Sequence, residues 1–221
     1  IHHEKFKTWL DRLAIFFKSL RSEEGHSIPI IFRPFHEHLG SWFWWGHDNC
    51  TREEFIALFW FTVEYLRDEK GLHHLLYAYS PGSFDSEDEY LERFPGTDYI
   101  DLLGYDDYHS FSTLENIPEG LAVLGTLVKL GREMNKPVAY TETGLESIPI
   151  ADWWTDYVLE PIKSDPEARK ISYMLFWRNA NTKHHFAPYP GHLSADNFIR
   201  NEQDEFTWFL EDLPDMYTLN E

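Results

Sequence analysis

Ile28-Pro29-Ile30-Ile31-Phe32-Arg33-Pro34-Phe35-His36-Glu37 opens on a short apolar run and closes on an acid just ahead of Gly40. A run of this length, rich in β-branched residues, is the pattern of a strand buried on both faces, as in a parallel sheet. On its N-terminal side, residues 3–22 carry Phe6, Trp9, Leu10, Leu13, Phe16, Phe17 and Leu20 at spacings of three and four. That periodicity predicts an amphipathic helix ending near Gly25. On its C-terminal side, residues 51–69 read as a second helix. Thr51 is its N-cap, Glu54 completes a capping box, and Gly71 lies beyond its end.

The alternation continues outward from this helix–strand–helix unit. Strands are expected at about 28–35, 75–79, 100–105, 137–140 and 171–177, and helices at 118–134, 151–163 and about 203–211. Five strands interleaved with helices point to a parallel α/β sheet. A (β/α)8 TIM barrel has eight strands, so the count fits either part of such a barrel or an open five-stranded sheet. The segment 178–201, rich in His, Asn and Pro, is longer than a simple connector and is expected to be functional or ordered by packing.

The 221 residues carry 43% hydrophobic and 17% aromatic side chains, including nine Trp, ample for a core with aromatic surface to spare. Nineteen Lys and Arg face 38 acids, for a net charge of −19. That balance excludes the basic patch that nucleic acid or an anionic membrane surface would select. Cys50 is the single cysteine, so neither an internal disulfide nor a cysteine-based zinc site is possible. No apolar run reaches the roughly 18 residues of a membrane span, so membrane insertion is not expected. The first residues lack the basic and apolar regions of a signal peptide.

Two acids stand out. Glu37 ends the first strand run, and Glu142 ends Val138-Ala139-Tyr140-Thr141-Glu142-Thr143-Gly144. Two carboxyl groups carried on separate strands among aromatic residues are what a retaining glycosidase needs. Phe35 and Trp42 to Trp45 would give Glu37 an apolar wall, which favours a protonated general acid. Thr141 and Thr143 give Glu142 polar company, which suits an ionised nucleophile.

Arg33-Pro34-Phe35-His36-Glu37 followed by Gly40-Ser41-Trp42-Phe43-Trp44-Trp45-Gly46 resembles the acid/base region of glycoside hydrolase family 26 β-mannanases. Tyr79-Ser80-Pro81, Leu103 to Tyr108, Tyr140 to Gly144 and Phe176-Trp177-Arg178-Asn179 resemble that family's later strand ends, in the expected order. The resemblance implies a retaining endo-hydrolase of β-1,4-mannosidic bonds in mannan, glucomannan or galactomannan, exported and without a cofactor. It makes Glu37 the acid/base and Glu142 the nucleophile, with their carboxyl groups about 5–5.5 Å apart. His36 would contact the sugar at the cleaved bond and Trp42 would line the leaving-group side. Tyr108 would hydrogen-bond the nucleophile, and Asp106, Trp177 and Arg178 would bind the glycone side. Arg33 serves equally well as a scaffold for Glu142 or as a substrate contact. In the aromatic run, Phe43 and one of Trp44 and Trp45 are expected to pack inward.

The resemblance also favours the barrel. We therefore expect a single catalytic domain over 1–221, formed by the last five strands of a (β/α)8 barrel. The N-terminal strands would be absent and a further barrel segment required to close the open interior. Within the same family, β-1,3-xylan or mixed-linkage β-glucan is the nearest alternative substrate. A polysaccharide-binding remnant without turnover is the alternative of another class. His36, His38, Asp106, Asp107 and His109 allow a metal-hydrolase reading, but adjacent histidine pairs chelate poorly and no metal is expected. Ser80 lacks the spacing of a serine nucleophile.

Overall fold

The computed structural model describes residues 2–214. Five strands, β1 (Ile30–Phe32), β2 (Leu75–Tyr79), β3 (Leu102–Asp106), β4 (Val138–Thr143) and β5 (Met174–Phe176), form one sheet in sequential order. β1 pairs parallel with β2, and β2 with β3, with Ile31 opposite Leu76 and Tyr79 opposite Leu103. Each strand lies inside the span expected for it or overlaps it closely. All of β3 and β4 is buried, which explains why they read as unbroken apolar runs rather than alternating ones.

The helices are α1 (His2–Ser19), α2 (Arg52–Glu64), α3 (Glu87–Leu91), α4 (Ile117–Met134), α5 (Glu160–Ser164) and α6 (Ala195–Glu202). α2 starts where expected: the Thr51 hydroxyl accepts from Glu54 N–H, and the Glu54 carboxylate accepts from Thr51 N–H at 2.8 Å. Removing this reciprocal cap with Thr51→Ala should cost about 1 kcal/mol, read as a lowered urea midpoint at unchanged slope. α2 runs on into a π-helical turn over Tyr65–Glu69, and a second π-helical turn over Trp154–Leu159 leads into α5.

The chain divides into two units. The first holds the residues up to Asp106 together with Thr126–Thr141; the second holds Asp107–Gly125 and the residues from Glu142 onward. In the first, Phe32 of β1 packs edge-on against Phe17 of α1, with ring centroids 5.4 Å apart, and against Tyr77 of β2. Side chains alternate along a strand, so Ile31 and Leu76 occupy the opposite face. There they are 43% and 46% exposed, an apolar strip on an uncovered sheet face. In the second unit the core is built on Trp153 and Trp154, both fully buried, against Phe176 and Phe198. Their indole N–H groups donate to Phe111 O and to Ser194 Oγ.

The expected helix at about 203–211 is corrected. Helix α6 lies earlier, at Ala195–Glu202, inside the stretch read as a long loop, and only a 3-10 turn follows at Leu210–Asp212. Its inward residues are Asn197 and Asn201, not apolar ones, while Ile199 is half exposed. Asn197 Oδ1 accepts from Thr155 N–H, and its amide donates to Thr155 Oγ1 at 2.7 Å. A helix seated through amide hydrogen bonds leaves no apolar periodicity to read.

Candidate active site

The first unit delivers Glu37 on a strained turn. Beyond β1 the backbone adopts positive φ at both Phe35 (54°) and Glu37 (53°), a region that non-glycine residues rarely enter. Such a conformation survives only where its surroundings enforce it, and it concentrates at functional positions. Here the enforcement is visible. Glu37 N–H donates to Ser80 O at 2.9 Å, tying the turn to the end of β2. Phe35 is buried among Phe55, Phe59 and Trp45, and Trp45 Nε1 donates to His36 O. Phe43 stacks on Trp45 with centroids 4.4 Å apart, so this pair packs inward, while Trp42 and Trp44 stay exposed. Trp42 Nε1 donates to Glu37 Oε2 at 2.9 Å. His36 lies beside Phe43, with ring centroids 5.0 Å apart.

His38, considered above as a metal ligand, is instead a buried structural group. Its ring nitrogens lie 3.3 Å from Phe35 O and 3.1 Å from Tyr79 Oη. Burial lowers its pKa from 6.5 to about 3, with a smaller push from Arg93 and a counteracting pull from the Phe35 carbonyl. The folded chain therefore refuses a proton that the unfolded chain accepts below pH 6.5. Stability should fall as pH drops from about 6.5 towards 3, by at most about 1.4 kcal/mol per unit from this group. Urea unfolding across that range should show the slope, and His38→Asn should flatten it.

Beneath the turn lies a polar hub. Arg33 Nη1 pairs with Asp106 Oδ2, while Ser80 Oγ and Thr141 Oγ1 each lie 2.7 Å from Asp106 Oδ1. Tyr105 N–H donates to Thr141 Oγ1 at 2.9 Å. The ends of β1, β2, β3 and β4 are thus pinned to one carboxylate. Gly104 makes this possible, because a Cβ there would sit 2.6 Å from Thr141 Cγ2 and 3.1 Å from Ser80 Cβ. Asp106 was expected on the glycone side. It is 2% exposed and both its oxygens are engaged by protein groups, so a structural part is what the geometry supports. Arg33, left open above, takes the scaffold part through the same pair.

The second unit holds Glu142 at the end of β4, 5% exposed. Tyr108 Oη donates to Glu142 Oε1 at 2.8 Å, which orients the carboxylate and favours its charged form. The Tyr108 ring is in turn set edge-on by Phe186 at 5.6 Å. Asp107 N–H donates to Glu142 O, and Trp177 N–H donates to Thr143 O, so β4 carries neighbours on both sides. Trp177 is half-buried at the end of β5, and the exposed Arg178 guanidinium lies 5.9 Å over its ring. Asp107 Oδ2 accepts from His109 N–H and Ser110 N–H, closing a local turn. Among the described residues, no group of three His, Cys, Asp or Glu side chains is placed to hold a metal ion.

The expected site residues therefore fall into two sets: Glu37, His36, Trp42 and Asp106 in the first unit, and Glu142, Tyr108, Trp177 and Arg178 in the second. Ser80 and Thr141 went unread as site residues, since a hydroxyl on a buried strand carries no sequence signal of what it will meet.

Acids and aromatics at the carboxyl ends of strands in a strand–helix succession define the (β/α)-barrel class of enzyme sites. The chain belongs to glycosyl hydrolase family 26, whose family model matches residues 2–157. It is 45% identical, with a TM-score of 0.90, to a family 26 β-mannanase structure from Bacteroides ovatus, covering 99% of this chain and 62% of that one. A modular endo-β-1,4-mannanase from Cellulomonas fimi gives 37% identity and a TM-score of 0.90, over 96% of this chain and 49% of that one. The mannan endo-1,4-β-mannosidase of Bacillus subtilis strain 168 is 31% identical over 185 residues, 81% of this chain and 46% of that protein. The chain thus spans less than two thirds of each of these relatives. The five-stranded sheet and these likenesses fit a partial (β/α) barrel.

Proposed function

We propose that this chain carries the catalytic machinery of a retaining endo-β-1,4-mannanase. The observation that carries the proposal is Glu142: a buried carboxylate at a strand end, oriented by the Tyr108 hydroxyl, in a chain of this family. In this reading Glu142 attacks the anomeric carbon while Glu37 protonates the departing oxygen. Glu37 then takes a proton from water, which releases the sugar from Glu142 with configuration retained. His36 contacts the sugar at the cleaved bond, Trp42 lines the leaving-group side, and Trp177 with Arg178 binds the glycone side. The relatives named for mannan favour that polymer over β-1,3-xylan or mixed-linkage β-glucan.

We further take the five strands as part of an eight-stranded barrel. The uncovered apolar strip of Ile31 and Leu76 supports this, since such a face is normally buried in a barrel interior. A polymeric substrate that cannot cross a membrane supports an exported protein, and no helix among the described residues is long and apolar enough to span one. The test is reducing-sugar release from β-1,4-mannan, with β-1,3-xylan and mixed-linkage β-glucan in parallel. Release from mannan at a kcat/KM at least about tenfold above the others supports the reading. Release from another polymer alone overturns the substrate.

A further inference from the structure

Gly40 has no conformational reason to be glycine, because its φ lies outside the positive region that excludes other residues. Its reason is spatial. A Cβ at Gly40 would fall inside the Trp42 ring, 2.6 Å from Cε3 and nearer still to two further ring atoms. The indole therefore lies flat against the backbone of its own loop. In that pose its Nε1–H reaches Glu37 Oε2 at 2.9 Å, while 67% of the residue remains exposed.

The loop is built to hold that pose. His47 N–H donates to Gly40 O, and a Cβ at Gly46 would strike the same carbonyl. Asn49 Nδ2 donates to both Ser41 O and Phe43 O, and Ser41 Oγ donates to Asp48 Oδ2 at 2.6 Å. The stacked Phe43 and Trp45 rings anchor its underside, and Trp45 Nε1 fixes the His36 carbonyl, one residue before Glu37. An exposed tryptophan normally samples several rotamers. This one is backed by a bare backbone and tethered to the carboxylate in front of it.

We propose that Gly40 is a positioning residue which makes Trp42 and Glu37 one preorganised unit, so that the indole plate binding the leaving-group sugar also holds the acid that must protonate that sugar's oxygen. The proposal rests on the functional reading above and deepens it. A sugar stacked on the exposed indole face is presented to a carboxyl group whose position is set by the same indole. The coupling matters only for substrates that have a sugar as leaving group and need a proton on it.

The experiment compares the wild-type chain with Gly40→Ala and Trp42→Phe on two substrates. Mannohexaose needs the leaving-group plate and the acid; β-mannobiosyl fluoride needs neither, because fluoride is small and departs without full protonation. Both variants should lose about tenfold or more in kcat/KM on mannohexaose, and keep their rate on the fluoride within about twofold. Equal losses on both substrates, or no loss on mannohexaose, overturn the proposal.

A second readout needs no activity. The Trp42 indole N–H resonance, assigned as the one missing from Trp42→Phe, should move on Glu37→Gln in the wild-type background. It should not respond to Glu37→Gln in the Gly40→Ala background. An indole signal indifferent to Glu37 in the wild type overturns the proposal. An indole signal that responds, in a chain that cleaves no mannan, leaves the unit standing and removes the mannanase reading instead.

Discussion

Glu142→Ala is expected to lower the rate of reducing-sugar release from β-1,4-mannan by at least about a thousandfold, with little change in thermal stability. The size follows from the chemistry. Without the carboxylate no glycosyl-enzyme forms, and the residual rate is whatever Glu37 achieves by protonating the leaving oxygen. The fold should survive because the alanine removes only the side chain that Tyr108 addresses. The strand's backbone bonds, from Asp107 N–H to Glu142 O and from Trp177 N–H to Thr143 O, are untouched. An alanine variant that still melts like the wild type yet releases sugar at a comparable rate would remove Glu142 from the nucleophile's role.

The largest effect on stability should come from Asp106→Ala. This carboxylate receives Arg33, Ser80 and Thr141, and its removal leaves a guanidinium whose side chain is only 18% exposed without its acid. Breaking one side of such a pair costs about 3–5 kcal/mol, mostly through the charge left behind. The double variant Arg33→Met with Asp106→Leu should recover much of that loss, since an apolar pair leaves no orphaned charge. Urea midpoints of the two variants settle the comparison. If the single variant loses under about 1 kcal/mol, the hub is no keystone and Asp106 is free for a sugar after all.

Much of this was legible from the order of residues, for identifiable reasons. Strands buried on both faces appear as continuous apolar runs, so Leu102–Asp106 and Val138–Thr143 were visible and each ends near a residue with chemistry. The capping box at Thr51 and Glu54 is a contact between residues three apart, which a linear pattern can record. The tie from Tyr108 to Glu142 came through resemblance; no spacing along the chain predicts a hydrogen bond across 34 positions.

The misses have equally concrete causes. Helix α6 buries Asn197 and Asn201, so the usual apolar stripe was absent. Helix α3 is five residues long, too short for periodicity to register. The positive φ at Phe35 and Glu37 falls on residues that carry no glycine-like warning, and is held by contacts with Ser80 and with the aromatic loop.

The linear order of amino acids was thus enough for the strand–helix succession, the family, and the identity of the two acids, because local periodicity and contiguous motifs carry that information. The folded chain alone settled which polar groups serve the scaffold. Asp106 and Arg33 are both chemically fit to bind a sugar. Convergence with Ser80 and Thr141 at the ends of four strands is what turned them inward, and such long-range pairing is set by packing, not by any local pattern. The same holds for His38, a plausible ligand on paper, which burial against Phe55 and Tyr79 makes a neutral brace beneath Glu37.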